Sequence, residues 1–111
     1  GLVFLAGLKD EQINDILARS DLRAYTPKTI FEPEQIWQRV YETRQRGFAI
    51  AVEQVYANDI ALAAPIHLPD GHTTAAVVLA ASNLRYDENT ITRQFVPMMI
   101  SATRSVTKIL T

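Results

Sequence analysis

The chain has 111 residues, a hydrophobic share of 48%, a charged share of 21% and a formal net charge of −1. This length suits one domain that can bury a core, and Lys and Arg are spread among Asp and Glu instead of forming the basic stripe that phosphate-driven DNA binding needs, so direct DNA contact by this segment is not expected. The absence of cysteine excludes disulfides and thiolate nucleophiles and suits the reducing cytoplasm, the expected location, while the apolar runs are too short to span a bilayer.

Two amphipathic helices are predicted in the first half of the chain. Asp10 stands where an N-cap residue would accept a free backbone amide, and isoleucine and leucine follow at helical spacing, so a helix is predicted over residues 10–20. A second helix is predicted over residues 33–46. Pro33 suits its first turn, and Gly47 supplies a left-handed stop.

Three strands are predicted in the middle of the chain, over residues 48–56, 60–68 and 74–82. The sequence PDG at residues 69–71 fits a type I turn between the last two, which predicts an antiparallel hairpin. Pro65 has no N–H to give to the ladder, so an edge position or a bulge is expected there.

A long helical segment is predicted to follow Asp87, which can cap it. Its apolar residues keep a three-four spacing that predicts one buried face: Ile91, Phe95, Met98, Ala102, Val106 and Ile109. Pro97 would cost about 3 kcal/mol in a regular helix interior. A kink or a fresh helix start is therefore expected near it.

Each predicted strand has one face of large side chains and one face of small ones, because side chains alternate along a strand. The large face consists of Phe48, Ile50, Val52, Ile60, Leu62, Ile66, Leu68, Val77 and Leu79. The small face consists of Ala49, Ala51, Ala61, Ala63, Pro65, His67, Ala76, Val78, Ala80 and Ser82. The large face is expected to form core under a helix.

The small face has two interpretations. Alanines allow a helix to approach a sheet closely, and the C-terminal segment with Ala102 and Ser105 is the candidate for that helix. Alternatively, small side chains leave room for a ligand pocket of at least about 300 Å3, which close packing normally forbids. Periodicity alone favours the helix.

The segment TPKTIFEPEQIWQRVYETRQRGFAI, followed by Glu53, LAAPI, PDG and an apolar strand, resembles the C-terminal effector-binding domain of IclR-type bacterial transcription regulators. Residues 1–17 match the segment just before it, so the resemblance covers essentially the whole chain. It implies an α+β domain with an antiparallel GAF/profilin-like sheet flanked by helices. Such a domain binds a small metabolite, often a carboxylate or an aromatic acid, forms dimers or tetramers, and controls a separate winged helix-turn-helix domain. No cofactor is implied.

Residues 1–111 are expected to form only part of that domain. The resemblance begins partway into it, so the opening strands and a loop that form one wall of the pocket are expected to lie outside this chain. The DNA-binding domain is likewise absent from residues 1–111. Any contact with DNA is then expected only through that absent domain.

Carried over by resemblance, four ligand contacts of members that bind small acids fall on Ala51, Ala61, Val78 and Ala80. In those members the positions often hold acidic, thiol or serine-like groups, whereas here methyl groups replace the polar atoms. Each lost hydrogen bond to a charged ligand removes about 1.5 to 3 kcal/mol. The expected ligand is therefore a more apolar, aromatic carboxylic acid, and the alternative is a domain retained for assembly alone.

Three further residues complete the predicted ligand site. Ala63 lies on the small face, His67 could pair with an anionic ligand at the rim, and Asn58 tolerates the left-handed geometry of a usual family glycine. A half-exposed hairpin histidine and a plain turn are the alternatives for the last two. His67, Asp70 and His72 do not predict a metal site, because a tight turn aims such groups unpredictably. No GxSxG, HExxH or P-loop pattern occurs, so an enzyme is not expected.

Overall fold

The computed structural model describes residues 1–110, which form four helices and three strands. The helices are α1 (Leu2–Ala6), α2 (Asp10–Arg19), α3 (Pro33–Arg46) and α4 (Glu88–Leu110). The strands are β1 (Ala49–Val52), β2 (Asp59–His67) and β3 (Thr73–Ser82), and they form one antiparallel sheet in the order β1-β2-β3. The predicted α+β class is confirmed, although β1 is shorter than the predicted strand over residues 48–56 and α1 was not predicted.

The start of α2 differs from the expectation by one residue. The residue before the helix is Lys9, whose backbone N–H donates to Gln12 Oε1 at 3.0 Å, and Asp10 is the first helical residue. The predicted cap at Asp10 is therefore wrong. Its carboxylate instead accepts a hydrogen bond from Arg44 Nη1 of α3 at 3.0 Å, which ties the two helices together.

The limits of α3 are those that its sequence predicts. The helix begins at Pro33, whose missing N–H would have had no intrahelical partner in the first turn. It ends before Gly47, which has φ of 83° and donates its N–H to the Thr43 carbonyl at 2.8 Å. The left-handed conformation at Gly47 turns the chain directly into the sheet.

α4 is capped as predicted and runs without a break. Asp87 Oδ1 accepts a hydrogen bond from the Thr90 N–H at 2.6 Å. The helix continues through Pro97, so the expected fresh start at that residue is wrong. Packing of Phe95 and Met99 against the sheet, on either side of the proline, offsets the backbone hydrogen bond that proline cannot make.

β2 is the central strand, and its end carries an irregularity. β1 pairs only with residues 60–63 of β2, so Pro65 lies beyond the last β1 pair, at a local edge of the central strand. A register shift against β3 follows between Ile66 and His67. Pro65 therefore has the expected edge position on its β1 side, whereas the irregularity lies one residue further on and Pro65 itself stays in register with Ala76.

The hairpin between β2 and β3 closes with the predicted turn. The Gly71 N–H donates to the Leu68 carbonyl at 2.9 Å, and the Leu68 N–H donates to the His72 carbonyl at 2.8 Å. Gly71 has φ of 90°, a conformation that glycine adopts without strain.

Two hydrophobic clusters stabilise the domain. The sheet cluster lies between the large face and α4, and its buried members are Phe48, Ile60, Leu62, Ala64, Ile91 and Met99. The helical cluster joins α1, α2 and α3, and its buried members are Ile13, Leu17, Ile36 and Val40. The expectation that the large face is core under a helix is confirmed.

The helix over the large face is α4, which corrects one interpretation of the small face. Because α4 contacts β2 and β3 from the large-face side, the expectation that it covers the alanines is wrong, and Ala102 and Ser105 are exposed. α1 contacts the same two strands, and a Cβ on Gly7 would lie 2.5 Å from Thr73 Oγ1. Thr73 Oγ1 is also 3.2 Å from His67 Nδ1, so the residue after α1 lies beside the hairpin end of the sheet.

The buried line of α4 is also rotated from the predicted one. Ile91, Met99 and Thr103 are buried, whereas Met98 and Ile109 are 64% and 83% exposed. Thr103 can occupy the buried line because its hydroxyl donates to the Ile100 carbonyl at 2.7 Å, which removes the cost of burying it unpaired.

Candidate functional site

A cavity of about 480 Å3, hereafter the main cavity, lies at the free edge of β1. Its apolar wall comes from α1, the loop before α3, α3 and β1 and includes Leu2, Leu5, Ile30, Ile36, Ile50 and Val52. Its polar lining consists of Lys28, Arg39, Arg46, Gln54 and Glu88. A cavity of this size, with an apolar wall and a few polar groups, has the character of a small-molecule site.

Three basic side chains line the main cavity, and each is held by a carboxylate. Lys28 Nζ lies 2.7 Å from Glu53 Oε2. On α3, Glu42 Oε2 accepts a hydrogen bond from Arg39 Nη1 at 3.0 Å and lies 3.8 Å from Arg46 Nη2. The spacings of three and four residues place these α3 side chains on one helical face. The cavity lining therefore brings three positive charges, each paired with a carboxylate, beside the apolar wall.

The loop over residues 25–30 is fastened to the turn that follows β1. The Thr26 hydroxyl donates to the Glu53 carbonyl, and the Thr29 hydroxyl donates to the Gln54 carbonyl. Thr29 Oγ1 also accepts the Thr26 N–H at 2.9 Å. These two threonines therefore hold the loop against the sheet from within the TPKT sequence.

Gln54 completes this attachment and lines the main cavity. Its Oε1 accepts the Ile30 N–H at 2.8 Å, and its Nε2 donates to the carbonyls of Lys28 at 3.2 Å and Val52 at 3.0 Å. Since Lys28 and Ile30 also line the cavity, Gln54 fixes the position of one cavity wall.

Glu53 occupies a left-handed conformation, with φ of 50°, at the start of this turn. Its side chain is only 12% exposed, and Oε1 accepts the Asn58 N–H at 2.7 Å while Oε2 faces Lys28. The hydrogen bond from Lys28, followed by that from the Asn58 backbone, holds the pKa of Glu53 below its ordinary value. The carboxylate thus secures a backbone conformation that a non-glycine residue rarely adopts.

Replacing Glu53 with glutamine is expected to flatten the loss of stability in acid. A carboxyl group whose pKa is lower in the folded chain contributes stability that is complete above its unfolded pKa and is lost as pH falls through the folded pKa. Thermal unfolding midpoints from about pH 7 to about pH 3 measure this. Glu11→Gln, at an exposed residue of α2 with no ion pair among the described residues, is the matched control. Parallel pH curves for Glu53→Gln and the parent chain would contradict the expectation.

The predicted small face is present, but coverage of it decreases from β1 to β3. Ala51 pairs with Ala61, which pairs with Ala80, and Ala63 pairs with Val78 in the neighbouring row. Ala61 and Ala63 are half-buried, Ala80 is exposed, and Val78 is 63% exposed. Of these five residues only Ala51 lines the main cavity.

His67 and Asn58 lie at two other hollows. His67 is exposed beside Pro65 and Thr103, and Asn58 shares a shallow hollow with Ala80. Asn58 has φ of 63°, the left-handed geometry expected for it. The structure therefore does not bring the seven predicted ligand-site residues into one cavity, and their ligand roles stay predictions.

Sequence reasoning missed the cavity residues of α1, the 25–30 loop and α3. Arg39 and Arg46 are residue types that are common on solvent-exposed helix faces, so their identity alone does not mark them as cavity residues. The available signal was the placement of two arginines seven residues apart with Glu42 between them, which stacks all three on one face.

The described residues carry neither a metal-type cluster nor a membrane-type helix. Within residues 1–110, no three His, Cys, Asp or Glu side chains are grouped so that they could hold a metal ion. His72 Nδ1 lies 3.7 Å from Asp70 Oδ2, while His67 is engaged with Thr73. None of the helices in the same range combines the length and apolar character needed to cross a membrane.

The domain is thus of the α+β class, with an antiparallel sheet between helices and a cavity against its edge strand. The family model described as bacterial transcriptional regulator IclR C-terminal matches residues 1–108. The chain belongs to this family, and the resemblance read from the sequence is confirmed.

Two curated relatives are transcription regulators. The chain is 32% identical over 107 residues to the transcriptional repressor IclR of Escherichia coli K12. It is 24% identical over 106 residues to the Pca regulon regulatory protein of Pseudomonas putida. Both alignments cover 96% of this chain but only 39% and 36% of the relatives. The chain thus spans well under half the length of the curated relatives it matches.

Solved structures share the fold. A transcriptional regulator from Rhodococcus sp. RHA1 matches with a TM-score of 0.92 at 24% identity, covering 96% of this chain and 44% of that one. The inducer-binding domain of a PobR double mutant from Acinetobacter, in complex with 3-hydroxybenzoic acid, matches with a TM-score of 0.90 at 22% identity, covering 96% and 61%. IclR of Thermotoga maritima matches with a TM-score of 0.88 at 20% identity, covering 98% and 44%.

Proposed function

We propose that this chain is the effector-sensing part of a bacterial transcription regulator that works in the cytoplasm. It binds a small, largely apolar or aromatic carboxylic acid in the main cavity and controls a DNA-binding domain outside residues 1–111. The main cavity carries this proposal, because an apolar wall and three basic side chains together suit an acid with a hydrophobic body. Family membership supports a sensory role, and a PobR domain of the same fold binds a hydroxybenzoic acid.

The site acts on the regulator through differential affinity. An effector shifts an equilibrium between two arrangements only if it binds one of them more tightly. The main cavity takes its lining from α1, α3, β1 and the start of α4, so any change in how these elements sit against each other changes its shape. Ligand binding therefore favours one arrangement of the elements, which self-assembly into dimers or tetramers carries to the DNA-binding domains.

Addition of benzoate is expected to raise the thermal unfolding midpoint of the chain, whereas glyoxylate is expected to have little effect. A ligand at about 100 times its Kd stabilises the folded state by about 2.7 kcal/mol. Glyoxylate leaves most of the apolar wall unfilled, so its affinity is expected to be low. A titration of each acid by thermal shift measures both effects. Tighter binding of glyoxylate than of benzoate would overturn the ligand class.

A ligand-free interaction module is the second candidate, and the open edge of β3 favours it. This strand has ten residues without a charge or proline, and Val78 on it is 63% exposed. Long uncharged edge strands are normally paired or covered in soluble proteins. A chain that self-associates in sedimentation experiments, yet gains no stability from any acid, would favour this candidate over the sensor.

A further inference from the structure

We propose that Arg39 and Arg46 of α3 bind the carboxylate of the ligand in the main cavity. This inference rests on the proposed function, since it names how that cavity recognises an acid. It also explains how an acid could bind although the small-face positions have lost their polar atoms. The hydrogen-bond donors come from α3, and the alternation of side chains along the strands gives no information about that helix.

The charge balance on α3 leaves room for a second anion. Glu42 Oε2 lies 3.0 Å from Arg39 Nη1 and 3.8 Å from Arg46 Nη2. Among residues 1–110, no other carboxylate oxygen lies within 4.0 Å of either guanidinium group. Two positive charges therefore share one negative charge. A guanidinium group has five N–H donors in a planar fork, so each arginine keeps donors for a carboxylate after meeting Glu42.

The two arginines are positioned beside the apolar wall. Ile36, Arg39 and Arg46 all line the main cavity, and their spacing of three and seven residues puts them on one stripe of α3. The guanidinium carbon of Arg46 lies 4.9 Å from the Phe48 ring centroid, a cation-π contact that restricts the side chain. Their side chains are 45% and 39% exposed, so both remain accessible to a ligand.

Lys28 is the third basic side chain of the cavity, and it already forms an ion pair with Glu53. Its ammonium lies 2.7 Å from Glu53 Oε2, in a pair that also secures the left-handed turn. A ligand that took Lys28 would leave the Glu53 carboxylate, only 12% exposed, without its cation. Glu88, the acidic residue of the lining, repels a carboxylate and so favours an orientation with the acid group towards α3.

Replacing Arg39 or Arg46 with glutamine is expected to weaken benzoate binding about tenfold each, because each substitution removes charge-assisted hydrogen bonds. The affinity for benzamide, which has the same ring without the charge, is expected to stay unchanged. Arg39→Lys keeps the charge but loses the planar fork, so a partial recovery of benzoate affinity is expected. Isothermal titration calorimetry on the 111-residue chain measures all of these values.

Two controls separate this inference from the proposed function. Glu11→Gln and Arg19→Gln each remove one exposed charge from α2, outside the lining of the main cavity, and both are expected to leave benzoate binding unchanged. If the parent chain binds benzoate and the Arg39→Gln, Arg46→Gln double variant binds it equally well, the arginine site is wrong and the sensor stands. If the parent chain binds neither benzoate nor phenylacetate, both proposals are overturned.

Discussion

Replacing Leu62 with alanine is expected to lower the free energy of unfolding by about 2 to 5 kcal/mol. Leu62 is fully buried in β2, the central strand, and belongs to the sheet cluster that α4 covers. The substitution removes transfer free energy and leaves a void that the sheet and α4 can fill only partly. Domains of this size have about 5 to 15 kcal/mol of total stability, so the loss is a large fraction of it.

Urea denaturation followed by circular dichroism measures the effect of Leu62→Ala. Leu84→Ala is the matched control, because Leu84 is 77% exposed and its truncation is expected to stay within about 0.5 kcal/mol of the parent chain. Equal losses for the two variants would mean that the large face of the sheet is not the core.

Replacing Gln54 with alanine is expected to cost about 3 kcal/mol and to free the 25–30 loop. The substitution removes three hydrogen bonds, each worth about 1 kcal/mol, and leaves the half-buried Ile30 N–H without its acceptor. The Gln54 side chain also lines the main cavity, so weaker binding of aromatic acids is expected to accompany the loss of stability.

Hydrogen exchange followed by mass spectrometry tests this second expectation. Peptides that cover residues 25–30 are expected to exchange faster in Gln54→Ala, while those from the core of β2 change little. Gln38→Ala, at an exposed position of α3, is the matched control. Unchanged exchange in the loop would show that Thr26 and Thr29 alone hold it in place.

Local signals in the sequence predicted most of the elements. Pro33 and Gly47 bound α3, Asp87 caps α4, and alternation along the strands identified the face under the core. The residues after β1 were wrongly assigned to a strand because Glu53 is held in a left-handed turn by Lys28, and such long-range contacts leave no periodic pattern. α1 has only five residues and no side-chain cap, so nothing in its sequence marked it as a helix.

The candidate site was predictable only in part. Alternation identified Ala51 on the small face, and the structure places it in the lining of the main cavity. The opposite walls come from α1, the 25–30 loop and α3, whose positions depend on packing in the helical cluster. Which face of a helix packs against a sheet depends on tertiary contacts as well as on the spacing of apolar residues. Thr103 is an example, because its hydroxyl is hydrogen-bonded and the residue can therefore lie on the buried face of α4.

The two hydrophobic clusters divide the chain into consecutive pieces. The helical cluster is built by residues 2–40, and the sheet cluster is built by residues 48–100. Contiguous segments that pack around their own hydrophobic cluster often open locally as cooperative units, or foldons, with different free energies. The main cavity takes its lining from both units. If the proposed acid binds there, it acts as a reversible cross-link between the two clusters, and its concentration then sets how independently they open.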